Sequence, residues 1–395
     1  VIVALVLGAL ESLCRIAFRQ LTGEAYASQV FNNQHIAPSN KIKQNSPVFL
    51  ETQVLHPYFG AVLPNPHLAP NIVSPINHQH NINIGVFGGS VALEVRKQLI
   101  PRLRSLLNRR GIIKPINLHM FAAGGLKQPQ QLMQLNYALS LGHQFDVVIN
   151  LDGYNEAVLA IQDNYDRGVS PFYPRLWDAR LKGYALHQAP WETELDSLRQ
   201  RHALWLERAS HPWAASFATI GLPLKLMVSR IERKIVKANE QLAQAKTPND
   251  LEHRGPQITG VEINKVYSML VNQWQQSSTI MNHMASLYGY DYIHFLQPNQ
   301  YLSGSKPLTE RELSVAYDDQ SRRMVLVNDV YPLMQVKGKE LRNQGVNFVD
   351  LSGLFVQERR TLYKDVCCHL NRLGNELLAD ALIEQLLPIL VAKSK

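Results

Sequence analysis

Three near-continuous apolar runs, each ended by glycine, set the frame of the chain. Asn83-Ile84-Gly85-Val86-Phe87 runs into Gly88-Gly89-Ser90, and apolar residues then recur at helical spacing to about Arg110. "INLHMFA" (116–122) ends in Ala123-Gly124-Gly125, with a helical pattern following from about Gln128 to Leu141. "FDVVINL" (145–151) ends in Asp152-Gly153-Tyr154-Asn155-Glu156 and reads as a strand buried on both faces. The alternation resumes with "YDYIHFLQP" (290–298) and "NFVDLSGLF" (347–355), separated by one long helix from about Glu310 to Gln344. An amphipathic helix, "RLGNELLADALIEQLLPIL", closes the chain. Strands alternating with helices predict right-handed β–α–β units and a mostly parallel sheet, hence a three-layer α/β/α domain. The first three strands all end in glycine-containing turns, on the edge where open α/β sheets place their ligands.

Two segments depart from this alternation. Val1 to Leu10 is almost wholly apolar and the character continues past Glu11 to Phe18, so residues 1–20 read as part of a membrane-spanning helix or an uncleaved signal. Residues 21–80, rich in Asn, Gln, Pro and His, read as a linker followed by an extended segment packed on the main domain of residues 81–395. Residues 163–280 carry helical patterns and form a predicted insertion. Its basic amphipathic stretch, "PLKLMVSRIERKIVKANEQLAQAK", fits a helical cover packed on the core, a lid over the site, or a face resting on an anionic bilayer through Trp213, Phe217, Leu226 and Ile231.

Composition narrows the class. With 46% apolar and 18% charged residues over 395 positions the chain is globular. Much of the net charge of +8 falls on the helix after Ser90 and around Lys225 to Lys237. Neither region has the aromatic interleaving of a single-strand binder or a DNA-reading motif, so nucleic acid is not an expected partner. Cys14, Cys367 and Cys368 imply no disulfide framework. His78 and His80 lack a carboxylate or cysteine spaced to complete a metal site, and no cofactor is expected.

The strand–turn–helix around Ser90 lifts a hydroxyl to the ligand edge and leaves the first N–H groups of the helix free. The plainer alternative is that Ser90 merely N-caps that helix. Near the end of the chain, His369 lies at the mouth of the final helix and Asp365 four residues before it. Ester cleavage by a serine needs a base, an orienter for that base, and donors for the oxyanion. Ser90, His369 and Asp365 supply the first set; the N–H groups of Ser90 and Gly125 and the side-chain amide of Asn155 supply the donors.

In this order and at these strand ends, the residues resemble the SGNH (GDSL-type) hydrolase family, from about Asn81 to Leu387 without the insertion. Gly88-Gly89-Ser90 matches the first block, with Gly in place of the family's Asp, as in membrane-anchored members. Gly125, with Gly124 as its rival, falls on the second block, and Gly153-Tyr154-Asn155 matches the third. The last block, Asp-x-x-His, departs, because Asp365 stands one residue too far from His369, and a backbone carbonyl is the alternative orienter. The resemblance implies carboxylester or O-acetyl chemistry through an acyl-serine, without a metal. The expected partners are an ester-bearing small molecule, glycan or lipid. The expected location is a single-pass membrane anchor with the catalytic domain extracytoplasmic, although Arg15 and Arg19 taken alone pull the other way. A different class stays open: a catalytically silent member serving envelope assembly or glycan binding, suggested by the missing Asp and the displaced Asp365. An O-acyltransferase is a further alternative. Nucleotide binding at Gly85–Ser90 fits poorly, since no Lys-Ser/Thr follows the glycines.

Overall fold

The computed structural model describes residues 2–22, 26, 54–62, 76, 81–112, 114–184, 190–209, 211, 214, 216–245, 251–256 and 261–394. His78, His80 and Trp213 lie outside them. The elements begin with α1 (Ile2–Thr22), the short strands β1 (Val54–His56) and β2 (Gly60–Val62), β3 (Ile82–Gly88) and α2 (Ser90–Arg109). Next come β4 (Ile116–Ala122), α3 (Gln130–Ser140), β5 (Val147–Asp152) and a π-helix, Asn155–Asn164. Then follow α4 (Pro190–Ala209), α5 (Ala218–Ala245), α6 (Ile263–Tyr288) and β6 (Asp291–Leu296). The last are α7 (Glu310–Val315), α8 (Arg322–Asn343), β7 (Asn347–Asp350) and α9 (Arg372–Lys393). These residues form two compact units: 1–46 with 181–250, and 47–180 with 251–395.

The larger unit is built on a five-stranded sheet in the order β4-β3-β5-β6-β7, with every pair parallel. All seven residues of β3 and all six of β5 are buried, as their apolar runs demand for central parallel strands. Helices α2 and α9 pack together on one face, tied at the rim by Arg102 to Glu376 and Asp380. Helices α3, α6 and α8 cover the other face. The result is a three-layer, flavodoxin-like α/β/α unit. Strand order reverses between β3 and β5, and the crevice outside their carboxyl ends is where such sheets bind ligands. The basic residues after Ser90 (Arg96, Lys97, Arg104, Arg109 and Arg110) form the exposed face of α2.

Three differences from the sequence reading have clear causes. The single helix expected over 310–344 is two helices. Thr309 closes a capping box with Glu312 to start α7, and Ser321 caps α8 after a turn at Asp318–Asp319. The end of the expected insertion, α6, belongs to the sheet unit: Val266, Leu270, Trp274 and Met281 on its inner face are in the core, and α6 packs on β6. Phe59, Val62 and Ile76, from the segment expected to pack on the main domain, lie in that core too.

The third difference concerns α1. No helix among the described residues is long and apolar enough to cross a membrane, so the reading of residues 1–20 as part of a membrane-spanning helix is not supported. In the smaller unit α1 packs on α5, and Phe18, Tyr26 and Ala218 form a small core. Glu11, a charge inside the apolar run, accepts the Ala218 and Thr219 N–H groups and the Thr219 hydroxyl at 2.7, 2.9 and 2.9 Å. It therefore caps the first turn of α5 with a carboxylate where the helix dipole favours one. Helices α4 and α5 pack against each other through Leu198, Ile231 and Ala238.

Candidate active site

Ser90 stands where β3 gives way to α2. Gly88 has φ of +145°, and a Cβ there would collide with the Leu151 carbonyl of β5, so only glycine permits this turn. Gly89 takes the N-cap position and makes no side-chain cap. The N-capping alternative for Ser90 is thus overturned: Gly89 is the cap, Ser90 opens the helix, and its hydroxyl is hydrogen-bonded with His369 Nε2 at 2.7 Å. Its own N–H, at the first helical position, has no carbonyl in the preceding turn to bond.

His369 arrives from a pinned loop. Tyr363 and Leu370 pair as an antiparallel bridge, Lys364 N–H bonds the His369 carbonyl at 3.0 Å, and Asn371 N–H bonds the Leu362 carbonyl at 2.7 Å. Inside this loop Asp365 Oδ1 accepts the backbone N–H groups of Cys367 (2.9 Å) and His369 (3.4 Å), while Oδ2 accepts from His369 Nδ1 at 2.7 Å. The extra residue between acid and base is absorbed by this Asx-type turn. The carboxylate, not a backbone carbonyl, orients the imidazole.

Ser90, His369 and Asp365 therefore form one unbroken hydrogen-bonded chain. Burial opposes charge on His369, but the hydrogen bond and charge of Asp365, with the Cys367 thiolate, outweigh it and raise the imidazole to about 9. Burial likewise pushes Asp365 up, and the bond and charge of His369 more than reverse this, holding its carboxyl low. The pair favours imidazolium beside carboxylate, the state a base reaches after taking a hydroxyl proton.

The donor side lies on the neighbouring turns. Asn155, the first residue of the π-helix after β5, is buried and donates from Nδ2 to the Leu126 carbonyl at 2.6 Å. Its amide packs against Gly89 so closely that a Cβ at residue 89 would collide with Nδ2. Glycine at this position leaves room for Asn155 beside Ser90. Gly125 lies in the turn after β4 beneath the Arg175 side chain, which pairs with Asp163 at 2.5 Å. The Gly125 N–H meets no protein acceptor among the described residues.

Glu156 escaped notice in the sequence. Fully buried, it accepts the Gly153 N–H on Oε2 (2.8 Å) and the Gln128 N–H on Oε1 (2.8 Å), so one side chain ties the turn after β5 to the turn after β4. Burial and the nearby Asp152 charge raise its carboxyl to about 8 against the pull of those amides. An acid at the mouth of the apolar "AVLAI" segment was the available signal. A second Ser–His–Asp chain was also missed: Ser278 Oγ to His294 Nδ1 at 2.8 Å, and His294 Nε2 to Asp152 Oδ1 at 2.9 Å. Ser278 and His294 are wholly buried, and Trp274 Nε1 and Asn150 Nδ2 also donate to Asp152, so this chain knits α6 to β5 and β6. It offers no hydroxyl to a substrate.

If Asn155 contributes one oxyanion donor, Asn155→Ala will lower kcat on a small ester by about 10²–10³-fold while leaving KM within a few-fold. Steady-state kinetics check this. A change confined to KM would remove Asn155 from the donor set.

No family model matches the chain, and no curated protein does. Among solved structures it is similar to an acetyl xylan esterase at 13% identity and a TM-score of 0.37, over 77% of this chain and 99% of that one. A GDSL-like lipase from Bacteroides thetaiotaomicron is similar at 9% identity and a TM-score of 0.37, over 82% of this chain and 94% of that one. A Clostridium thermocellum family 3 carbohydrate esterase is similar at 13% identity and a TM-score of 0.32, over 80% of this chain and all of that one (100%). At these scores the likeness carries no argument about activity. That rests on the site.

Proposed function

We propose that this chain is a serine esterase that cleaves carboxyl esters, O-acetyl groups of glycans among them, through an acyl-Ser90 intermediate. The observation that carries the reading is the continuous Ser90–His369–Asp365 hydrogen-bonded chain at the carboxyl edge of a parallel sheet. Ser90 Oγ attacks the ester carbonyl carbon as its proton passes to His369 Nε2. The carbonyl oxygen becomes an oxyanion held by the N–H groups of Ser90 and Gly125 and by the second N–H of Asn155 Nδ2. His369 then gives the proton to the departing alkoxide. Water, deprotonated by the same imidazole, attacks the acyl carbon and releases the acid with Ser90 restored. An acceptor hydroxyl in the place of water makes the same site an acyltransferase.

The experiment is acetate release from 4-nitrophenyl acetate and from acetylated xylan by the full chain. The expected result is turnover with a burst of nitrophenol matching the enzyme concentration, as accumulation of an acyl-enzyme requires. Absence of turnover on every short acyl ester tried would defeat the reading.

A further inference from the structure

The loop that delivers His369 also carries two thiols that ester cleavage does not use. Cys367 and Cys368 are both free, with Sγ atoms 3.4 Å apart. One ligand atom from each of Cys367, Cys368 and His369 lies within 4.8 Å of the others. Two sulfurs on a tetrahedral zinc at about 2.3 Å each stand about 3.8 Å apart. The observed separation is within a few tenths of that, and small side-chain rotations bring the imidazole to the same point. Cys367 is half-buried and Cys368 is 2% exposed, so an ion reaches them from the Cys367 side.

The surroundings suit thiolate ligands. The Tyr154 hydroxyl reaches Cys367 and the Gln297 side-chain amide reaches Cys368. Both groups are buried and have no hydrogen-bond partner among the described residues. Unpartnered buried donors beside the thiols can serve as the outer shell that metal thiolates require.

We propose that Cys367, Cys368 and His369 form a site for a thiophilic divalent cation of the zinc class, and that filling it turns the serine site off. Binding is balanced as the protons still held by the two thiols and the proton on the ligating imidazole nitrogen are lost to solvent, with two sulfur–metal bonds and one nitrogen–metal bond formed. Both ring nitrogens of His369 are engaged, Nδ1 with Asp365 and Nε2 with Ser90. A metal on either one breaks the chain from serine to acid. The inhibitory half of the proposal rests on the esterase reading; the binding half does not.

The test titrates zinc chloride into the full chain, kept reduced with a phosphine, against a chromophoric chelator. In parallel the rate on 4-nitrophenyl acetate is followed. The expected result is one zinc per wild-type chain, with at least a ten-fold fall in rate that EDTA reverses. Cys367→Ser and the Cys367→Ser/Cys368→Ser pair should lose both the zinc and the inhibition relative to their own metal-free rates. Cobalt(II) on the wild-type chain gives a second readout that needs no variant: sulfur-to-cobalt charge-transfer absorption in the near ultraviolet. Equal zinc binding by wild type and the double variant, or no such band with cobalt, overturns the site. Zinc bound through the thiols with an unchanged rate overturns the switch. A chain that binds zinc this way but cleaves no ester keeps the site and sinks the esterase reading instead.

Discussion

Ser90→Ala should abolish ester turnover, with kcat falling by about 10⁶-fold, the scale seen when the nucleophile of a serine–histidine–acid unit is removed alone. The loss is this large because the attacking oxygen itself is removed. The second serine–histidine–acid chain, Ser278–His294–Asp152, is sealed in the core and cannot substitute for it. Alanine fits without strain, since the residue opens α2 with ordinary helical backbone and its hydroxyl bonds only the imidazole. The melting temperature should therefore stay within a few degrees of wild type while the nitrophenol burst disappears. Residual catalysis of about 10³-fold over water, from the oxyanion donors and binding, is compatible with the mechanism. Substantial turnover in a folded Ser90→Ala protein is not.

Asp365→Asn should carry the next largest effect, a loss of about 10⁴-fold in kcat, because an amide facing Nδ1 favours the wrong tautomer and cannot stabilise the imidazolium. It also makes a prediction about pH. With Asp365 in place the imidazole is raised to about 9, so at neutral pH the free enzyme holds mostly imidazolium, which cannot accept the serine proton. The wild-type kcat/KM should rise with pH and level off above about 9. Removing the carboxylate takes away the main support for the charged ring and leaves burial, which opposes it. The acid limb should then move to lower pH even as the plateau falls. A pH profile of kcat/KM for both proteins separates this from simple misfolding, which lowers the plateau and leaves the limb where it was. The same shift must appear in the chemical shifts of the His369 ring protons.

Much of this arrangement was legible from residues alone, for physical reasons. Central parallel strands must be apolar on both faces, so β3 and β5 announced themselves, and the glycines at the ends of β3, β4 and β5 marked the turns. Ser90, Asn155, His369 and Asp365 were visible because each sits at such a turn or at the mouth of the last helix. What escaped depends on contacts between segments distant in sequence. The reach of Asp365 to His369 follows from a turn that folds its own backbone amides onto Oδ1, and residue spacing does not reveal that. Gly89 answers to the amide of Asn155, more than sixty residues away, and Glu156 joins two turns that only the folded sheet brings together. Glu11 looked like a stray charge in an apolar run until its partner, the start of α5, was in view. The break between α7 and α8 was foreshadowed by Ser321, a capping residue inside what a simple periodicity joins into one helix.

The central claim, that Ser90 is the nucleophile, is tested most directly by reacting the purified chain with a fluorophosphonate and mapping the adduct by peptide mass spectrometry. The account predicts a single phosphonylated site on the peptide bearing Ser90, formed faster as pH rises towards 9 and absent from Ser90→Ala. A wild-type protein that cleaves esters yet takes no adduct at Ser90, or takes it on another serine, would contradict it.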